Sequence, residues 1–144
     1  MFMDYCDQMM IAEEGLFDRF KKISVPTRKW ELFGKTNDML NKCEIYVLEH
    51  MYKYQDADIK YMKKMNLPQL HWAIEELKKP DSPNDTFIDI PVSKIMNIRK
   101  KSVTNGKIGF KEFKDSPIYK EALDHFGEYI AFHIEICDIM LKYK

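Results

Sequence analysis

The C-terminal stretch of this chain carries more apolar surface than one neighbouring helix can cover. Residues 115–144 read DSPIYKEALDHFGEYIAFHIEICDIMLKYK and repeat apolar residues at the three- and four-residue steps of a helix. One stripe comprises Tyr119, Leu123, Phe126, Ile130, His133, Cys137 and Leu141, and a second comprises Tyr129, Phe132, Ile136, Ile139 and Tyr143. Because one apolar stripe packs against one layer of neighbouring helices or strands, two stripes require several such neighbours. The pattern predicts a mainly helical fold around a long helix that begins near Ser116.

Composition is typical of one ordinary domain. The chain has 144 residues, 45% of them hydrophobic, and shows no internal repeat, low-complexity tract or linker, so residues 1–144 are expected to form a single domain. Cys6, Cys43 and Cys137 lie far apart on apolar segments, which favours reduced core cysteines over a disulfide framework or a zinc site. The acidic N-terminus and the lack of a long uncharged apolar run predict a cytoplasmic protein without a membrane partner, in the host cytoplasm if a phage or virus encodes it.

Four helices are predicted before the C-terminal one. The first covers Met3–Lys22 and is ended by the SVPT segment, because Pro26 disfavours a helical conformation at the preceding residue. The second covers residues 28–54, with a potential interruption at Gly34. A short helix over residues 58–64 and a further helix then follow, the latter with Asn66 as N-cap and Pro68 in its first turn. Leu70, Ala73, Ile74 and Leu77 mark the buried side of that helix.

Two β signals and an uneven charge distribution follow. The run Thr86–Ile90, closed by Pro91, is predicted to be a strand, and Asn105-Gly106 favours a hairpin with a type I′ turn. Formal net charge is zero, yet residues 1–20 hold five acids and one base. Residues 93–114 hold seven Lys or Arg and the single acid Glu112. An anionic partner is therefore expected near the second stretch.

The segment from Cys43 to Lys79, CEIYVLEHMYKYQDADIKYMKKMNLPQLHWAIEELKK, resembles the core of winged helix-turn-helix proteins. The Val47-Leu48 pair, a polar break, a short helix and a helix capped by Asn66 follow each other in the order and spacing of that core. The whole layout is similar to the MarR type of bacterial and archaeal transcription regulator. The resemblance implies a winged helix-turn-helix with a small β-hairpin, in which residues 43–79 form the core, 84–114 the basic wing-like region, and 1–22 and 116–144 the dimerisation helices.

The resemblance implies a sequence-specific transcription regulator that binds double-stranded DNA as a homodimer. Gln69, His71 and Trp72 at the start of the recognition helix would face the major groove. Phosphate contacts would come from Lys63 and Lys64 beside that helix and from Arg99, Lys100, Lys101 and Lys107 in the hairpin. Two recognition helices would address half-sites one helical turn apart.

Residue patterns for catalysis and metal binding are incomplete. An EF-hand alignment around Asn105-Gly106 places Lys101 and Val103 where calcium needs oxygen ligands. Fragments of a di-iron site (His71 with Glu75, His133 with Asp138) and of a magnesium site (Glu13, Glu14, Glu135 and Asp138) lack their remaining ligands. There is no Gly-rich phosphate loop, Cys/His pair or serine elbow. We expect neither enzymatic activity nor a cofactor or metal, and His133 is expected to be a hydrogen-bonded histidine within its stripe.

A second hypothesis belongs to another class of function. Ten methionines and many aromatic residues fit a small helical interaction factor, for instance a viral or phage accessory protein that binds a host protein. The two hypotheses differ in the surface they require. A regulator needs Lys63, Gln69 and His71 to share one basic surface with the Asn105-Gly106 region, whereas a basic stretch that packs away from Gln69 favours the interaction factor.

Overall fold

The computed structural model of the chain describes residues 21–50, 56–114 and 120–144. Its elements are β1 (Lys22–Pro26), α1 (Thr27–His50), α2 (Asp56–Lys78), β2 (Phe87–Pro91), α3 (Val92–Phe113) and α4 (Lys120–Leu141). The mainly helical class is thereby confirmed. The predicted helix Met3–Lys22 lies outside the described residues except at its end, where Lys22 begins a strand instead.

The C-terminal helix α4 is the centre of the fold. It packs against α1, α2 and α3, as the two stripes predicted. Residues from both stripes are buried, among them Phe126, Tyr129, Ile136 and Cys137. From α1, Phe33, Leu40 and Val47 join the same core at helical spacing. The helix α1 runs through Gly34 without a break, so the potential interruption there is not realised.

The two strands form a small antiparallel sheet. Lys22 pairs with Pro91 and Pro26 with Phe87, and the backbone N–H of Thr27 continues the ladder by donating to the Thr86 carbonyl at 2.8 Å. The strand predicted over Thr86–Ile90 is confirmed. Its partner is the segment expected to end a helix, in which Ile23 and Val25 alternate inward with a period of two. The sheet is not a hairpin, because α1 and α2 lie between its strands in the chain.

No turn separates a short helix from a recognition helix in the described part of the chain. The helix α2 continues from Asp56 to Lys78 with Pro68 inside it, so the turn predicted at Asn66 within the 43–79 core is wrong. Asn66 does not cap a helix, since its amide donates to the Tyr129 hydroxyl at 2.9 Å. The predicted buried side, Leu70, Ala73, Ile74 and Leu77, is confirmed. We attribute the continuous helix to this long buried stripe, which outweighs the backbone hydrogen bond lost at Pro68.

The predicted hairpin is also wrong. Asn105 and Gly106 lie in the interior of α3, and no described residue has the positive φ that a type I′ turn requires. The reason is helical periodicity: Val92, Ile95, Ser102 and Gly109 are buried along one face of α3. The wing-like region 84–114 is therefore a loop, strand β2 and a helix.

Candidate interaction site

The residues predicted to contact DNA lie on two helices. Lys64, Gln69, His71 and Trp72 are exposed on α2, and the side chain of Lys63 lies outside what the structure describes. Lys100, Lys101 and Lys107 are exposed on α3, and Arg99 is half-buried there. All four therefore lie on a helix instead of a wing.

The helices α2 and α3 pack on different faces of α4. Ala131 and Glu135 of α4 line a groove with α2, whereas Gly127, Ile130 and Ile134 line a groove with α3. At about 100° per residue, the centres of these two sets lie about a quarter of a helical turn apart around α4. The predicted base-reading residues of α2 and the basic residues of α3 therefore lie on helices that pack on different sides of α4.

Several basic side chains near these helices are paired with carboxylates. Arg99 donates to Asp138 of α4 at 2.8 Å, and Lys78 lies 2.9 Å from Glu135. Lys79 pairs with Glu76 one turn away at 2.6 Å. Such exposed pairs contribute little to stability, but each one neutralises a charge that a phosphate would otherwise meet.

An exposed tryptophan stands beside an apolar groove between α1 and α2. The side chain of Trp72 is 58% exposed, and Met65 and Gln69 are exposed on the same face of α2. The adjoining groove, of about 280 Å³, is lined by Leu32, Lys35, Thr36, Met39, Gln69, Trp72 and Ala73. We call Leu32, Met39, Met65, Gln69 and Trp72 the Trp72 surface. A large exposed apolar patch with a tryptophan at its centre is typical of binding surfaces.

A second apolar groove lies between α3 and α4. Its volume is about 360 Å³, and it is lined by Val103, Gly106, Lys107, Phe110, Leu123, Phe126, Gly127, Ile130 and Ile134. Phe110 at its edge is 56% exposed. We call it the α3–α4 groove.

A buried lysine fastens the loop before β2 to the C-terminus. The Lys29 ammonium lies 2.9 Å from a carboxylate oxygen of Asp81 and donates to the Tyr143 hydroxyl at 3.1 Å and to the Lys79 carbonyl. The Tyr143 hydroxyl in turn donates to Asp81 at 2.6 Å. All three N–H donors of Lys29 are thus used, so the cluster is suited to holding the loop and not to binding a ligand in the adjoining cavity of about 270 Å³.

The Lys29 cluster perturbs the acidity of its members. Burial alone raises the pKa of Asp81, but hydrogen bonds from Tyr143 and Lys29 outweigh it and hold that pKa below its ordinary value. Burial lowers the pKa of Lys29, yet its bonds to Tyr143 and Asp81 raise it overall. Burial and the bond to Asp81 raise the pKa of Tyr143. Folding therefore stabilises the ionised forms of Asp81 and Lys29 and the neutral form of Tyr143.

Stability should consequently fall at both ends of the pH scale. A lowered Asp81 pKa gives stability that is lost as pH falls below about 4, and raised Lys29 and Tyr143 pKa values give stability that is lost as pH rises above about 10. We expect Tyr143→Phe to lower the free energy of unfolding by about 1 kcal/mol at neutral pH. The further decrease of this free energy at low pH and at high pH should be smaller in the variant than in the native chain. Urea unfolding between pH 3 and pH 11 measures this, and identical profiles for the two chains would contradict the assignment.

A buried polar network joins α1, α3 and α4. One carboxylate oxygen of Glu44 accepts from the Ser102 hydroxyl at 2.8 Å, and the other lies 2.6 Å from His133 Nδ1. The opposite ring nitrogen of His133 lies 2.6 Å from the Asn37 side-chain oxygen. The prediction of a hydrogen-bonded His133 is confirmed. Glu44, Ser102 and His133 are all buried, so the network is closed to a substrate.

Sequence reasoning overlooked Glu44, although a signal was present. Glu44 follows Leu40 by four residues and precedes Val47 by three, which places a charge on the apolar stripe of α1. A charged residue at a core position requires partners, and Ser102 and His133 supply them. Among the described residues, no group of three or more His, Cys, Asp or Glu is arranged to hold a metal.

The two described cysteines are free and buried, as predicted, and Cys6 lies outside the described residues. Burial raises the pKa of Cys43 and raises that of Cys137 to about 12. Because the thiolate is the reactive form, both should resist alkylation.

In a Cys6→Ser chain, we expect labelling in native buffer to be about 10³-fold or more slower than in urea, since only the unfolded fraction reacts. Rapid labelling of either thiol in the native protein would contradict this burial.

The described elements define a small helical assembly with a two-stranded sheet and two open apolar grooves. No helix among the described residues is both long and apolar enough to span a membrane. No protein-family model, curated protein or solved structure matches the chain.

Proposed function

We propose that the protein is a small helical interaction factor without enzymatic activity, and that it binds an amphipathic helix of another protein through the Trp72 surface. The observation that carries the proposal is the 58% exposure of the Trp72 side chain beside an apolar groove. Burying so large an indole in a complex is a strong source of affinity, because tryptophans are prominent among binding hot spots.

The shape of the site favours a helix as the bound element. The groove runs between α1 and α2, and an amphipathic helix can lay its apolar face along such a groove. Met39 lines the groove and Met65 lies beside it, and methionines adapt to irregular partners. Among the described lining residues only Lys35 is charged, which favours a carboxylate on the partner helix.

A peptide selected from a random library can take the place of the partner helix in a test. The full chain would be used to select binders from a library of random 20-residue peptides, and their affinities measured by fluorescence anisotropy. Trp72→Ala should weaken the selected peptides about 30-fold, the loss expected of a hot spot. Glu75→Ala, an exposed change on the same helix, is the matched control and should leave affinity unchanged. Failure to select binders, or equal affinity for both variants, would overturn the proposal.

Sequence-specific DNA binding by a homodimer stays a prediction, and the exposed Lys100, Lys101 and Lys107 on α3 are what favours it. Anisotropy on a pool of short random duplexes at about 50 and about 200 mM salt measures it directly. Salt-sensitive binding that weakens in a Lys100→Ala/Lys101→Ala chain would favour a regulator over the interaction factor. A change of sequence preference in Gln69→Ala would assign base reading to α2.

A further inference from the structure

We propose that residues 1–20 of this same chain dock as an amphipathic helix in the α3–α4 groove. This internal contact uses a different surface from the one assigned to an external partner. Four features carry it: the apolar groove, the apolar stripe of the segment, the opposite charges of the two, and the position at which the described chain begins.

The groove has room for a helix face. Gly127 of α4 lines it, and a Cβ built on Gly127 meets nothing within 4 Å. On the α3 side the groove is lined by Val103, Lys107 and Phe110, and Gly106 there packs against Ile130, because a Cβ built on Gly106 would lie 3.1 Å from a side-chain carbon of Ile130. A helix lacking a side chain at a position such as Gly127 allows another element to approach closely. Covering the groove would also bury part of Phe110, whose ring is more than half exposed.

The segment offers the complementary apolar face. Its sequence, MFMDYCDQMMIAEEGLFDRF, places Cys6, Met9, Met10, Leu16, Phe17 and Phe20 at helical spacing. Unbranched methionine side chains can fill an irregular cavity such as this groove, whose lining mixes bulky side chains with the open Gly127. An exposed stripe of this width would be costly in water, so it requires a surface to cover it.

The charges of the two elements are opposite. The segment holds five acids and one base, whereas residues 93–114 hold seven bases and one acid. Lys107 lines the groove itself, and Lys111 follows one turn later on the exposed side of α3. A helix seated on its apolar stripe would place its carboxylates beside these lysines, where attraction favours docking. The contact therefore also accounts for how a chain of zero net charge distributes its charges.

The chain geometry brings the segment to the right place. The Val92 N–H donates to the Lys21 carbonyl at 2.9 Å, so the segment ends beside the first residue of α3. Gly106 lies 14 positions further along, or about 21 Å at the helical rise. A 20-residue helix spans about 30 Å, which reaches beyond the groove. The tether also raises the effective concentration to about the millimolar range, which favours the chain's own segment over that of a second copy.

Photocrosslinking in the full chain tests the proposal. With benzoylphenylalanine in place of Met10, which precedes Lys21 by as many residues as Val103 follows Val92, we expect crosslinks within one chain to residues of the α3–α4 groove, identified by mass spectrometry. Gly127→Trp would fill the groove and should lower this yield about tenfold, the loss expected for a contact weakened by one decade. Gly34→Trp is the matched control, because its Cβ also meets nothing within 4 Å yet lies on α1 outside the groove. Its yield should be unchanged.

Alkylation of Cys6 provides a second measurement that needs no unnatural residue. The difference in labelling between the native chain and Cys6→Ser reports Cys6 alone, and Gly127→Trp should raise its rate while Gly34→Trp should not. Crosslinks between two chains would overturn the proposal in favour of a second copy. Crosslinks to the Trp72 surface, no crosslinks, or an equal Cys6 rate in all variants would overturn it outright. Peptide binding at Trp72 is measured separately, so either proposal can fail alone.

Discussion

A Glu44→Ala chain should be destabilised by about 3–5 kcal/mol, a large share of the 5–15 kcal/mol typical of a domain. The change removes the acceptor of both Ser102 and His133 in a site where Glu44 has no exposed surface. Each buried donor left without a partner costs about 1–3 kcal/mol, and the vacated volume adds a cavity cost. Urea unfolding measures the loss as a lower midpoint, with an unchanged dependence of the free energy of unfolding on urea concentration.

Matched variants separate the network from a general effect of substitution on α1. Glu49→Ala makes the same change at an exposed position of the same helix and should stay within about 0.5 kcal/mol of the native chain. Glu44→Gln preserves the side-chain volume and one hydrogen-bond acceptor, so its stability should lie between those of Glu44→Ala and Glu49→Ala. A double-mutant cycle with His133→Ala should show coupling of about 1 kcal/mol or more, since contacting residues are not additive. Equal stability of Glu44→Ala and Glu49→Ala would refute the role of the network.

The features predicted correctly are those set by long periodic patterns. The two stripes of α4 predicted a central helix with several neighbours, and α4 packs on the three other described helices. The inward side of α2 from Leu70 to Leu77 was also correct. Such patterns extend over many residues, and the burial they imply sums to more free energy than any single local preference.

The errors came from short local signals. Asn105-Gly106 favours a turn by itself, but the surrounding buried positions of α3 keep it helical against α4. Asn66 before Pro68 has the sequence of a helix start, yet the Asn66 amide bonds Tyr129, 63 residues away. In both cases a residue far away in the sequence determines the local conformation. The neighbouring residues alone are therefore not sufficient to predict it.

The candidate site also contains features that the sequence predicted and features that it did not. The outward position of Gln69, His71 and Trp72 was implied by the winged-helix resemblance, and all three residues are exposed on α2. The groove beside Trp72 did not follow, because Leu32 and Met39 come from α1 and the pairing of two helices is a tertiary fact. The partners of Glu44 and Lys29 were likewise unpredictable, although a charge on an apolar stripe indicated that partners must exist.

Gly109→Ala should have the second large effect on stability, and its sign should be opposite to that of the same change at Gly34, which is also helical. A Cβ at Gly109 would lie 2.1 Å from a ring carbon of Phe126, which is 1% exposed, so the ring or the α3 backbone would have to shift. We expect a loss of about 2–3 kcal/mol from this overpacking. At Gly34 a Cβ meets nothing within 4 Å, so alanine there should stabilise by about 0.5–1 kcal/mol through helix propensity.

A double-mutant cycle assigns the loss to the α3–α4 contact. Phe126→Leu removes the ring carbons that the new methyl group would meet, so Gly109→Ala should cost much less in that background than in the native chain. Helix propensity alone predicts that alanine stabilises both Gly34 and Gly109, and a backbone requirement for glycine is excluded because Gly109 has no positive φ. An undiminished cost in the Phe126→Leu background would mean that the two helices are not in contact at Gly109, because only close approach of the α3 backbone to the Phe126 ring makes glycine necessary there.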